Sequence, residues 1–595
     1  MNPPLAIPLV LAMTAAGVDD PQLPEGYWPA AKVAEILGKT ETIRLAPDLA
    51  RLDPGEREAV ADLLEAGAIM QRLYEEARHH QAIRSHRDLL ALHERLGKPK
   101  RTEDLLSLYR LSQGPIATTL DNRREAFLPV DPQVPARNVY PPDATREEIE
   151  AFLGAHPERR EAILGERTVV RRATAENIER DRRALADGAL RTLHEDVARE
   201  LEALAKEPDA KAFYAVPYAV AYADELMHAF RLLTRAAGKL EGSDAELARY
   251  LRNRARDLIS NDYESGDASW VTGRFGRLNA QVGAYETYDD ALFGVKAFPS
   301  FSLLLKDEEA TAALRRRLGG LQAVEDALPY DHHKRVREDI SAGFYEVVAD
   351  FGQARGTNTA TILPNDALFS RRYGRTILLR RNIMEHPDLF AANQRVWRAV
   401  TVEAHADDLA AEGMSQYTLW HEVGHYLGVD RDRQGRPLDV ALRPHADALE
   451  EMKADLVSLF ALHRMAGEGT IDAATLRAVQ AAGIRRTLQN VRPRSDQPYQ
   501  TMQLAQFNYF LDRGLIEADP ETTRLTVDYD RYADVVTSLL REVLRVQYEG
   551  DPEVAGAFFE RWGTWTEGLH DKLAGRIREA QGPRFRIVRY GALGE

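Results

Sequence analysis

Cysteine is absent from all 595 residues. Disulfides, thiolate metal sites and a cysteine nucleophile are therefore excluded. Any transition metal must be held by His, Asp and Glu. Long apolar runs are missing as well. After residue 13 nothing approaches the roughly 20 consecutive apolar residues of a membrane helix, so no integral membrane span is expected. A basic excess is also lacking. The chain has 93 acids against 78 bases, a net charge of −15, which argues against a nucleic-acid partner. There is no internal repeat, heptad run or low-complexity tract.

What is present is an ordinary globular composition, 44% hydrophobic and 29% charged, long enough for more than one domain and a large core. A monomer is expected. Leu5 to Met13 is apolar and Thr14-Ala15-Ala16 resembles a small-residue cleavage site, although no Lys or Arg precedes the run. An exported location, periplasmic or secreted, is favoured over a cytoplasmic one on this segment. Residues 20–30 are rich in proline and acid and read as a linker, which sets 1–30 apart.

Periodicity then assigns coarse structure. Residues 32–110 carry helical spacing, with Leu63, Leu64, Ala68, Met70 and Leu73 among charges. The proline-rich stretch 114–147 reads as irregular. Residues 145–260 are again helical, starting at Thr145 ahead of Glu147 and Glu148. Short strands are expected at Trp270-Val271, Tyr285–Tyr288, Phe344–Val348 and Thr376–Leu379, with a loop from Gly352 to Asp366. From 387 onward helices dominate. The fold class is mainly α with a smaller β portion (α+β). The expected division is 31–386, a helical region plus β-containing lobe, and 387–595, a helical metal-binding region, the lobes being interleaved in sequence.

One motif carries chemistry. His421-Glu422-Val423-Gly424-His425 lies in a predicted helix from Met414 to Leu427, capped by Gly428. Positions i and i+4 share a helix face, so both imidazoles can reach one ion. Glu422 beside them can act as general base on a water whose pKa zinc lowers towards ~7. The motif alone also fits two surface histidines. Two histidines leave a catalytic zinc one protein ligand short. Glu450-Glu451-Met452-Lys453-Ala454-Asp455 follows in a predicted helix from His445 to Arg464. Its ExxxD spacing resembles that of the gluzincin class of peptidases. The resemblance implies Glu451 as third ligand to one Zn2+ ion and Asp455 as the acid holding a ligand histidine by its other ring nitrogen. Glu450 is the competing ligand and otherwise a solvated neighbour. The adjacent pairs His79-His80 and His332-His333 read as surface residues. A closed structural zinc site is disfavoured because such sites are usually rich in cysteine.

Several segments together resemble the dipeptidyl-peptidase III family of zinc metallopeptidases, in its bacterial HExxH branch. They are HEVGH with EEMKAD, Val282–Asp290 followed by Leu292-Phe293-Gly294, Asn358–Asp366, and Gln506–Tyr509. The resemblance implies two lobes, one largely helical and carrying zinc, separated by a cleft that closes on peptide. It implies release of dipeptides from the N-terminus of short peptides. Asn365 matches the substrate-holding LPN stretch, while Ile362 stands where animal enzymes have Asn. Gln281 stands where they have the oxyanion Tyr, and Tyr499 and Met502 stand near where the family has His. Tyr285, Tyr417 and Tyr499 are candidate oxyanion donors, with packing roles as the alternative, and Glu286 is a further substrate-binding candidate. These substitutions leave a second reading, a catalytically impaired zinc-containing peptide-binding protein of the same fold.

Overall fold

The computed structural model describes residues 22–595 apart from 135, 187, 337–340, 364–368, 370–371 and 489–497. Helices dominate and the strands form small sheets, so the fold is α+β as the sequence implies.

The N-terminal half is built on α1 (Pro54–Arg78), α2 (Ala223–Leu240) and α3 (Ala245–Ser260). Helix α1 starts where its sequence says it should. Asp53 accepts from Glu56 N–H, Glu56 returns a bond to Asp53 N–H, and Pro54 occupies the first turn. Thr145 caps the helix Arg146–Ala155 by accepting from Glu148 N–H.

Residues 262–300 depart from the sequence reading. Trp270-Val271 lies in helix α4 (Glu264–Thr272), where Trp270 is buried and donates from Nε1 to Asn279 Oδ1 (3.0 Å). Aromatic and β-branched content signals a half-buried surface, which a packed helix supplies as well as a strand does. The strand comes later than the Trp and before the Tyr pair, as β1 (Leu278–Ala284). Tyr285–Tyr288 is irregular. The stretch 114–147 also holds a short hairpin, Ile116–Thr118 with Arg124–Ala126.

Strand β1 opens a five-stranded sheet with β2 (Pro299–Lys306), β3 (Ser341–Gly352), β4 (Ala360–Leu363) and β5 (Thr376–Arg380). The order is β1-β2-β3-β5-β4, antiparallel except for the β3/β5 pair. β4 falls inside the expected Gly352–Asp366 loop and forms a sheet edge. All five β5 residues are buried, as expected of a strand covered on both faces. The alternation is informative. Leu378 packs into the N-terminal core, while Ile377 and Leu379 pack into a second core. The sheet therefore has one core on each face.

That second core holds the C-terminal helices α5 (Ala411–Gly424), α6 (Ala446–Gly467), α7 (Ala473–Thr487), α8 (Pro498–Asp512) and α9 (Tyr532–Glu549). It begins in sequence at Leu314, before residue 387. The last strand, Phe585–Tyr590, returns to pair in parallel with Thr40–Leu45, so Val588 and Tyr590 sit in the N-terminal core. Among the described residues no helix is long and apolar enough to cross a membrane.

Candidate metal centre

Helix α5 is positioned by close backbone approach at both ends. A Cβ on Gly413 would lie 2.3 Å from Ala478 C on α7, and one on Gly424 would lie 2.7 Å from Ala454 O on α6. Only glycine admits these crossings. Ala454 sits between Glu451 and Asp455, so the second contact brings the HEVGH face onto the ExxxD face. The helix starts three residues before the predicted Met414 and ends at Gly424, with His425 as its C-cap residue. Gly428 is not the cap. It adopts a left-handed φ of +77° further on, and its N–H donates to the buried Glu325 Oε2 (2.7 Å).

His421, His425 and Glu451 present ligand atoms that all lie within 4.8 Å of one another. Glu451 Oε2 is 3.2 Å from His421 Nε2 and 4.0 Å from His425 Nε2. That oxygen is buried with no hydrogen-bond partner. Two imidazole nitrogens and an unsatisfied carboxylate oxygen aimed at one point are a donor set that fits zinc.

Each imidazole is held from behind. His421 Nδ1 donates to Asp455 Oδ1 (2.6 Å), and His425 Nδ1 donates to Glu450 Oε1 (3.0 Å). An ionised carboxylate only accepts, so both Nδ1 atoms carry a proton, and it is the Nε2 atoms that face the centre. Burial raises the carboxyl pKa of Asp455, but Arg486 and His421 outweigh it and hold it below its usual value. Burial acts likewise on Glu451, and His421 and His425 outweigh it. The Arg486 guanidinium approaches Asp455 Oδ2 at 3.5 Å.

Glu450 is thus more than a solvated neighbour. Besides His425 it takes the ammonium of Lys453 at 2.8 Å, a side chain only 1% exposed. Lys453 also donates to Leu427 O (2.8 Å), which ties this network to the turn that ends the HEVGH segment. Sequence reasoning missed Lys453 and Arg486. The i, i+3 spacing of Glu450 and Lys453 was a usable signal for the first. Nothing local marks the second.

An open cavity of about 450 Å3 lies over the site. His421, Glu422, Tyr417 and Tyr499 line it, opposite Asn358, Thr359 and Ala360 at the start of β4. Tyr417 is buried, and burial followed by the charge of Asp455 raises its hydroxyl pKa well above normal. Tyr499 is partly exposed, and its pKa is raised by burial, Glu451 and Glu422. Tyr285 and Glu286 are not among the side chains lining this cavity. Tyr285 donates to Asp267 Oδ1 (2.6 Å) and packs against Tyr263, which is a structural role. In the same loop Asp290 accepts from four backbone N–H groups, those of Leu292, Phe293, Val295 and Lys296, and from Tyr140. Asn365 lies outside the described residues, as does the N-terminal apolar segment. His79 is buried, contrary to its surface reading, with Nε2 3.0 Å from Asp131 O.

No family model matches the chain. It is 26% identical over 462 residues to Nudix hydrolase 3 of Arabidopsis thaliana, covering 76% of this chain and 56% of that protein. The chain thus spans about half the length of that relative. The structure is similar to dipeptidyl-peptidase III from Caldithrix abyssi, with a TM-score of 0.78 and 23% identity over 94% of this chain and 99% of that one. It is similar too to dipeptidyl-peptidase III from Corallococcus sp. strain EGB, with a TM-score of 0.71 and 23% identity over 96% and 98% of the two chains. The chain therefore has the fold of dipeptidyl-peptidase III over almost its whole length.

Proposed function

We propose that the protein is a zinc-dependent peptidase that releases dipeptides from the N-terminus of short peptides. The observation that carries the reading is the convergence of His421, His425 and Glu451, with Glu422 on the wall of the same cavity. The names of the two structural relatives agree with it.

In this reading His421, His425 and Glu451 hold one ion, kept in orientation by Asp455 and Glu450. Bound zinc supplies Lewis acidity, which makes a water acidic and polarises the scissile carbonyl. Glu422 takes the proton of the attacking water and returns it to the leaving amine. Tyr499, beside Glu422, keeps its proton at neutral pH and can donate to the oxygen that gains charge. Edge strand β4 borders the cavity, so an extended peptide can pair with its free backbone groups. Asn365, from the sequence, is assigned to the peptide N-terminus.

Mass spectrometry of products from defined tetra- and pentapeptides tests the reading. Dipeptides released from the N-terminus, and lost on adding a chelator, are expected. Glu422→Gln should keep its zinc yet lose about 10²–10⁴-fold in rate. Wild-type turnover by that variant, or cleavage indifferent to chelator, refutes the proposal.

A further inference from the structure

The cavity contains a charge that the proposed chemistry does not use. Arg485, on α7, lines it together with His421, Glu422 and Tyr499. The residue is 6% exposed. Its Nε and Nη1 are buried and have no hydrogen-bond partner. Among the described residues no carboxylate lies within ion-pair distance of it. Its neighbour Arg486 differs, because Asp455 faces that guanidinium at 3.5 Å.

A buried guanidinium without a partner is costly. Burying an unpaired charge is among the largest penalties a fold can carry. Burial alone, with no opposing carboxylate, pulls the Arg485 pKa down from its ordinary 12.5 to about 10. Arginine remains cationic at neutral pH even so. Other buried cations of this chain are compensated. Arg380 meets Asp350 at 3.0 Å and Ser302 Oγ at 3.0 Å. Lys453 meets Glu450 at 2.8 Å. Arg485 stands apart, and the open side of its surroundings is the cavity.

We infer that Arg485 receives a carboxylate of the bound ligand, namely the C-terminal carboxylate of a short peptide or an acidic side chain beyond the cleaved bond. This rests on the peptidase reading and specifies its substrate class. A guanidinium gives charge-assisted hydrogen bonds to a carboxylate, and the Nε and Nη1 of Arg485 have no protein partner to compete with one. His421 and Glu422 line the same cavity, so the carboxylate would lie only a few residues along the peptide from the scissile bond. With the terminal carboxylate as occupant the arrangement selects short peptides, because a longer chain carries that carboxylate out of reach.

The test uses the full chain and two peptide pairs. One pair is a tetrapeptide as its free acid and as its C-terminal amide. The other is an amidated tetrapeptide with Asp or Asn after the cleaved bond. Affinity is measured calorimetrically on chelator-treated protein, and kcat/KM on the zinc-loaded protein. In one pair the charged member should win by about tenfold or more, the range of a charge-assisted hydrogen bond. Discrimination in the first pair assigns the terminal carboxylate, and in the second the side chain. Arg485→Gln should bring that ratio, taken within the variant, to within about twofold, and Arg485→Lys should retain part of it. Equal treatment of both pairs by the wild type overturns the inference, even if Arg485→Gln fails to fold. So does a wild-type ratio in a folded Arg485→Gln protein. Cleavage without discrimination keeps the peptidase and removes the carboxylate seat. Discriminating binding without cleavage keeps the seat and removes the peptidase.

Discussion

Glu450→Ala separates the ligand carboxylate from the orienting one. Glu450 makes two contacts that matter, Lys453 Nζ at 2.8 Å and His425 Nδ1 at 3.0 Å. Lys453 is 1% exposed, and its other partner is a single carbonyl, Leu427 O. Removing the carboxylate strands a buried ammonium. Breaking a fully buried pair costs about 3–5 kcal/mol. The Glu450 side chain is 34% exposed, so solvent screens part of this, and about 2–3 kcal/mol is expected. Burial raises the Glu450 pKa, but Lys453 and His425 outweigh it and bring it from 4.5 down to about 2. A depressed carboxylate stabilises above its unfolded value and loses that contribution as pH falls through the folded one. At pH 7 the contribution is complete, and denaturant unfolding of chelator-treated protein at that pH should show it. Adding Lys453→Met should recover most of the loss, since the stranded charge is then gone. Zinc affinity should fall by about 10–100-fold, the usual effect of losing a ligand's orienting partner. Glu451→Ala should weaken zinc further, because it removes a ligand. A Glu450→Ala protein within about 0.5 kcal/mol of wild type refutes the charge argument. A larger zinc loss in Glu450→Ala than in Glu451→Ala would exchange the two roles.

Two further outcomes follow from packing and burial. Gly424→Ala drives a Cβ to 2.7 Å from Ala454 O, a backbone atom that cannot swing aside. It should cost about 1–3 kcal/mol and lower zinc affinity together, both read on one purified variant, and unchanged affinity would mean the helix crossing does not set the ligand geometry. Burial pulls the Lys296 ammonium from 10.5 down to about 7, against the charge of Asp290. Between those values the unfolded chain holds the proton and the folded one does not, so this residue's contribution to stability rises with pH across that window. The cost of Lys296→Met should accordingly grow between pH 7 and pH 9, by at most about 1.4 kcal/mol per unit, and a cost that shrinks over that interval refutes the assignment.

Much of the site was legible because its chemistry is local. HEVGH and ExxxD each place residues on one helix face through the i, i+4 rule, and that rule needs no tertiary information. The helix start at Thr145 was equally readable, since capping is a contact between near neighbours. Strand positions at 262–300 were not. Trp270 and Tyr285 are both buried or half-buried aromatics, and composition cannot distinguish a strand from a helix that packs them. Strand β4 was hidden inside a Gly- and Asn-containing stretch because its pairing with β5 comes from a partner more than ten residues away.

A resemblance named Glu451 as the ligand, but no local rule yields that choice, because it depends on how helices cross. Glu450 and Glu451 are adjacent in sequence and lie 100° apart around α6, so they face different neighbours. Which one meets Nε2 of the histidines and which one meets Nδ1 is decided where Gly424 rests on Ala454. That contact fixes the rotation of one helix against the other. Once it is fixed, Glu451 is turned towards the two Nε2 atoms and Glu450 towards Lys453, and the two carboxylates take different electrostatic surroundings. The same dependence explains Arg485. In sequence it is one of two adjacent arginines near the end of a helix, an ordinary basic pair. Only the packing of α7 against α5 and α6 distinguishes them, giving Arg486 the α6 carboxylate of Asp455 and leaving Arg485 at the cavity without one. Residue type announced the metal chemistry, whereas the assignment of charges around it is a property of helix rotation.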